Sequence, residues 1–295
     1  MDNFGRTDLA IEDINENLEM KECHIEKVHI DKNKAIALKK KEGYYYTITT
    51  SAFVEIDHDR MNDVVSKIEE VLNEILKEKK FSIKDSVLVM GLGNKEITPD
   101  NLGPSVCQNI LISKHLIDHG FEDDNLGYVS SITPGVMAQT GMESSEILSA
   151  LVYKFKPKLV VVVDALASRS IHRVNQTIQI TETGINPGSG VGNKRKEISK
   201  ESLGCDVIAI GVPTVVDVSS IVNDSLNYIF NNINSNEQEQ IKPFIENKKI
   251  FINEVLGESN LNFMVTPKEI DEIMVMLSEC ISNAINKVFH RLEKI

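Results

Sequence analysis

The sequence predicts an α/β fold: a mostly parallel sheet with helices on both faces, preceded by an antiparallel β meander. Three observations lead there. Strand-like and helix-like stretches alternate between residues 86 and 213, the grammar of parallel strands joined by crossover helices. The runs "SVLVMG" (86–91), "KLVVVVD" (158–164) and "CDVIAIGVP" (205–213) are apolar with hardly an interruption, as strands covered on both faces are. Between residues 25 and 56, the β-rich runs "HIEKVHI", "KAIALKK" and "YYYTITT" are separated by the turn signals "DKNK" and "KKEG".

Taken in order, residues 1–22 are polar and acidic and are expected to be loosely held. After the meander, Met61, Val64, Val65, Ile68, Val71, Leu72, Ile75 and Leu76 form one apolar helical stripe. Pro104 suits the first position of a helix running to His119 and closed by Gly120. "GYVSSI" reads as a strand and "ESSEILSALVYKF" (143–155) as a helix. "NQTIQIT" alternates, which predicts an edge strand. Residues 233–260, rich in Asn, Glu and Lys, read as a surface insertion. At the start of the last helix, Thr266, Pro267 and Glu269 spell a capping box. No internal repeat is visible, so residues 1–295 are read as one domain.

Composition narrows the function. The net charge of −12 opposes direct nucleic-acid binding, which needs a basic face, and suits attraction of a basic substrate. Cys23, Cys107, Cys205 and Cys280 form no CxxC and read as packed thiols in a reducing compartment. No apolar run approaches the ~20 residues of a membrane span, and the first residues lack a signal core. The expectation is a soluble cytoplasmic protein.

In open α/β sheets, ligands bind beyond the carboxyl ends of the strands. The segments there are "GLGNKEITPDNLGP", "TPGVMAQTG", "DALASRS" and "PTVVD". Gly91-Leu92-Gly93 is not a dinucleotide fingerprint, because Glu96 stands where the third glycine belongs. "NPGSGVGNKRKE" (186–197) has no P-loop spacing; with Lys194, Arg195 and Lys196 it is either an anion-binding loop or a solvated one. Two carboxylates stand out, Asp100 in the first loop and Asp164 at a strand tip. Facing one crevice, such a pair performs general acid–base chemistry; singly, Asp164 fits a helix N-cap equally well. His115 and His119 lack the glutamate of HExxH and read as helix surface; His172 alone among the histidines lies near a strand tip. No GxSxG is present, and Cys107 reads as core rather than nucleophile.

The blocks "GNKEITPDNLGP", "TPGVMAQTGMESSEI", "VDALASRSIHRVNQTIQITETGINPGSGVGNKRKEISKESLG", "VIAIGVPTVVD" and "NFMVTPKEID" resemble the germination (spore) protease family, across about residues 5–225 and 255–292. The resemblance implies an endopeptidase that degrades small acid-soluble spore proteins in the cytoplasm of the developing spore and the spore core. It implies an α/β sandwich like that of the hydrogenase-maturation proteases, and a homotetramer made as a zymogen and trimmed at its N-terminus. It implies no established cofactor. It places the two catalytic aspartates at Asp100 and Asp164. The 133–143 and 186–195 loops are expected to shape the substrate cleft, with Asn94, Thr98, Thr133, Glu143, Arg169, Ser189 and Asn193 as candidate cleft residues. No histidine matches the one that completes a metal site in the maturation proteases, which favours an aspartate dyad without metal; a metal-dependent peptidase using the same carboxylates is the alternative. A non-catalytic protein that holds spore proteins is a third reading. Family substrates are cut after an acidic residue and before a hydrophobic residue and alanine. "RTDLAIE" offers Asp8, Leu9 and Ala10, so self-processing is expected at Asp8–Leu9, leaving residues 1–8 as a short propeptide.

Overall fold

In the computed structural model, the described residues are 7–13, 23–38, 40–188, 196–232 and 263–291. The expected 233–260 insertion, Ser189, Asn193, Lys194 and Arg195 lie outside them.

The elements are β1 (His24–Ile30), α1 (Lys32–Leu38), β2 (Gly43–Thr49), α2 (Met61–Glu78), β3 (Ser86–Gly91), α3 (Leu102–Asn109), α4 (Lys114–Asp118), β4 (Tyr128–Ile132), α5 (Met137–Thr140), α6 (Ser144–Phe155), β5 (Leu159–Ser168), β6 (Thr177–Thr181), α7 (Lys200–Leu203), β7 (Asp206–Asp217), α8 (Val218–Asn232), β8 (Met264–Val265) and α9 (Ile270–Phe289). One sheet runs in the order β1-β2-β6-β7-β5-β3-β4, with β8 paired to β7. The expected parallel strands β4, β3, β5 and β7 form one half. The other half is antiparallel, because β6 runs against β7 and the N-terminal pair β1-β2 extends the sheet from β6.

Apolar side chains cover both faces. On one face, the stripe of α2 packs with α3 and α9 over Val87, Val89, Val161, Val163, Ile208 and Ile210. On the other, Leu148 and Val152 of α6 pack over Leu88, Met90, Val160 and Val162. A strand buried on both sides has no polar face to show, and so β3, β5 and β7 read as continuous apolar runs.

Five expectations change. The middle run of the meander is a helix, α1, because Asp31 caps it: the Asn33 and Lys34 amides donate to its Oδ1 at 2.9 and 3.0 Å. What read as a turn signal is a helix start, and Lys, Ala and Leu sustain a helix well. β6 is an interior strand, with every residue buried. Its alternating polar residues do not face solvent; Gln179 is spent on the N-terminal segment. The helix expected from Pro104 to His119 is two, and Pro104 sits within the first turn rather than at its start. Ser113 breaks it by pairing with Val129, its amide donating to the Val129 carbonyl and its Oγ accepting the Val129 amide, each at 3.0 Å. Thr266 does not cap α9; its hydroxyl donates to the Thr214 carbonyl at 2.8 Å, and the helix begins at Ile270. Most consequential, residues 7–13 are not loosely held: Leu9 and Ala10 are fully buried and Ile11 is 2% exposed.

Candidate active site

β5 and β7 run past their neighbours, to Ser168 and Asp217, and build the floor of the site. Asp164 is six residues into β5, buried, and paired in register with Gly211. The strand continues to Ser168, so Asp164 caps no helix. The ladder shifts between Leu166 and Ala167, so that Thr214 of β7 has no ladder partner. Such a bulge re-aims a side chain. Here the Thr214 hydroxyl donates to the Pro99 carbonyl at 2.6 Å and ties the Asp100 loop to the sheet.

That loop is held close by two glycines. Leu92 continues from β3 and donates to the Val163 carbonyl at 2.8 Å, one residue before Asp164. A Cβ at Gly103 would lie 2.3 Å from the Leu92 carbonyl oxygen, so only glycine lets α3 sit against this strand end. Gly93 has φ +118°, and a Cβ there would lie 1.9 Å from the Asp100 carbonyl oxygen. Gly91 serves the same close approach, since a Cβ there would lie 2.1 Å from the Gly103 carbonyl oxygen; Gly91 and Gly93 are thus packing glycines and not a nucleotide loop. Asp100 is half-buried and ends a short 3-10 turn (Thr98–Asp100); its Oδ2 accepts the Asn94 amide at 2.8 Å.

Asp100, Asp164 and Asp8 all line one cavity of about 300 Å³, with Leu92, Leu166, Ala167, Thr214, Pro187 and Ser144 among its walls. Asp8 reaches it because residues 7–12 form a strap over the end of β5 and the middle of β6. The Asp8 amide donates to the Ala167 carbonyl at 3.1 Å, and its carboxylate accepts the Ala167 amide at 2.9 Å. Leu9 and Ile11 pack on Leu166, and Ala10 packs on Ile30 and Tyr45. The Ala10 amide donates to Gln179 Oε1 at 2.7 Å. Glu12, only 5% exposed, anchors the far end. Its carboxylate accepts the Arg169 and Ser170 amides at 2.8 and 2.9 Å and the Ser168 hydroxyl at 3.3 Å, with Arg173 3.7 Å away.

The other candidates fall around this centre. Asn94 binds Asp100 through its amide, while its Oδ1 accepts from Gln139 Nε2 at 3.0 Å. Thr98 opens the 3-10 turn, and Thr133 is exposed; neither lines the cavity. Glu143 caps α6 through a capping box with Glu146 and also accepts the Lys196 amide at 3.3 Å. Arg169 holds the strap, its guanidinium donating to the Glu12 carbonyl. His115, His119 and His172 are exposed. Cys107 is packed against Gly91, and burial pushes its thiol up to about 12, which leaves no thiolate at neutral pH. Among the described residues, no three His, Cys, Asp or Glu side chains converge as a metal site, and no helix is long and apolar enough to cross a membrane.

Three residues at the site carry no signal in the sequence. Lys40, whose Nζ donates to the Asp8 carbonyl at 2.9 Å, lies in a charged run, Gln179 in an alternating strand, and Glu12 in an acidic terminus; nothing local marks them. The "TDLA" match is the one signal that the strap belongs to the site.

Known proteins identify the family. The family model for germination proteases matches residues 5–246. The germination protease of Oceanobacillus iheyensis is 39% identical over 310 residues, covering 92% of this chain and 84% of its own. That of Priestia megaterium is 39% identical, covering 90% and 83%, and that of Bacillus pumilus 37%, covering 90% and 82%. Among solved structures, a NiFe hydrogenase maturation protease of Thermococcus kodakarensis aligns with a TM-score of 0.34 at 18% identity, over 73% of this chain and 98% of that one. With two aspartates on one cavity and a family match over most of its length, the chain belongs to the germination protease family and is a peptidase.

Proposed function

We propose that the protein is an endopeptidase that opens the degradation of small acid-soluble spore proteins at germination, cutting after an acidic residue with Asp100 and Asp164 as an aspartate pair. The observation that carries this reading is that both aspartates line the cavity into which Asp8 is docked. In it, one carboxylate takes a proton from water as general base, and the other hands a proton to the leaving amine. The chain is made as a zymogen and processes itself at Asp8–Leu9, a bond whose residues match an acidic–hydrophobic–alanine preference. The acidic surface, net −12, favours a basic substrate by long-range attraction. The active assembly is a homotetramer in the spore core.

The test is incubation with a small acid-soluble spore protein followed by gel analysis and mass spectrometry of the fragments. Asp100→Asn and Asp164→Asn should each lower the rate by about 10³-fold or more while leaving fold and assembly intact, since each removes a group that moves a proton. Near-normal activity in either variant overturns the dyad. Loss of wild-type activity after exhaustive chelation, restored by a divalent cation, would instead establish a metal held by the same carboxylates. Stable binding of the spore protein without any fragment would make the chain a holding protein.

A further inference from the structure

The carbonyl of the Asp8–Leu9 bond carries two donors from elements far apart in the chain. Lys40 Nζ lies 2.9 Å from the Asp8 carbonyl oxygen, and Gln179 Nε2 lies 3.4 Å from it. The same Gln179 side chain accepts the Ala10 amide through Oε1 at 2.7 Å, which fixes its amide orientation and spans the Asp8–Leu9 bond from both sides. Lys40 also reaches the Thr7 carbonyl, at 3.4 Å.

Local structure explains how a lysine arrives there. Helix α1 ends with the Lys40 amide bonded to the Ala35 carbonyl at 3.2 Å, and the Tyr45 hydroxyl holds the next carbonyl, that of Lys41, at 3.0 Å. Ala35, Leu38, Ile30 and Tyr45 pack on Ala10, so this corner and the strap form one unit. Gln179 stands in register with Gly211, itself in register with Asp164, so the three occupy one row across β6, β7 and β5.

We propose that Lys40 and Gln179 form the oxyanion site for hydrolysis of the Asp8–Leu9 bond. This rests on the reading that the bond is the one processed. In the step, a water oxygen adds to the Asp8 carbonyl carbon, and the water's proton passes to a carboxylate of the Asp100/Asp164 pair. The carbonyl π electrons move to oxygen, where the Lys40 ammonium and the Gln179 amide hold the negative charge. The oxyanion's electron pair then re-forms the C=O as the C–N bond breaks, the other, protonated member of the pair gives its proton to the Leu9 nitrogen, and an Asp8 carboxylic acid and a Leu9 amine result, the acid then passing its proton to the amine. Donors already in place where charge develops act on the transition state more than on the ground state. With the charge held by Lys40, neither aspartate has to protonate that oxygen.

The experiment follows self-processing of the full chain by intact mass and N-terminal sequencing, alongside backbone amide exchange of residues 9–12. The wild type comes first: a product that does not begin at Leu9 overturns the processing reading and with it the oxyanion site, whereas failure of the Lys40 variants alone leaves the processing reading standing. With Leu9 established, Lys40→Met should slow the cut by about a hundredfold or more, the scale for losing one oxyanion donor. Amide protection of residues 9–12 should stay at the wild-type level, and Lys40→Arg should remain within about tenfold. Gln179→Leu should also slow the cut. A Lys40→Met chain that processes within a few-fold of wild type overturns the proposal. So does one that processes slowly with unprotected strap amides, since Lys40 then only tethers. An arginine variant no faster than the methionine one overturns it as well.

Discussion

Asp8 is bound to Ala167 twice, amide to carbonyl at 3.1 Å and carboxylate to amide at 2.9 Å. The backbone of β5 thus reads both the direction of the strap and the acid on it. A hydrogen bond to a charged group contributes about 1.5–3 kcal/mol. Asp8→Ala keeps the backbone bond and loses the carboxylate one. It should slow processing at residues 8–9 by about tenfold to a hundredfold, seen as persistence of the uncut mass over time. Asp8→Glu should be cut faster than Asp8→Ala; equal rates would show that the Ala167 amide does not select the acid.

Gly93 and Asp100 make a second testable pair. Alanine at residue 93 meets the Asp100 carbonyl oxygen and an unfavourable φ of +118° at once. Gly93→Ala should cost about 2–4 kcal/mol in urea denaturation and reduce peptidase activity more than tenfold by displacing Asp100. Gly120→Ala is the control: φ is +88° there, but a Cβ has open space. It should cost about 1 kcal/mol and leave activity unchanged.

His290 gives the fold a pH dependence away from the site. It is fully buried, Gly127 donates to its Nδ1 at 3.1 Å, and its Nε2 lies 2.9 Å from the Leu111 carbonyl. This pairing makes Nε2 the protonated nitrogen of a neutral ring. Burial holds its pKa below the ordinary histidine value. Folded pKa below unfolded pKa means that the unfolded chain binds the extra proton first. The contribution is therefore complete above about pH 6.5 and is lost as pH falls through the lower folded value. Denaturant midpoints measured from pH 7.5 down to 5 should fall in wild type, and fall less steeply in His290→Gln.

Composition is enough to identify the parallel half of the sheet. β3, β5 and β7 are covered on both faces, so their composition alone identifies them, and Asp164 stands out as the one charged residue within β5. Asp100 was legible as a polar group beyond a strand end, and the "TDLA" match singles out Asp8. The remaining groups of the site become visible only in the folded chain. Glu12 looks like one more acid in a polar terminus, yet its carboxylate is held by amides about 157 residues further along the chain. Lys40 looks solvated, yet α1, capped by Asp31 where a strand was expected, turns it onto the Asp8 carbonyl. Gln179 looks like the wet side of an edge strand, yet β2 covers that edge and the strap takes its side chain. Periodicity reports how a residue meets its own neighbours and the bulk of the core. Which polar group pairs with which depends on contacts between distant segments, and those form only when the chain has folded.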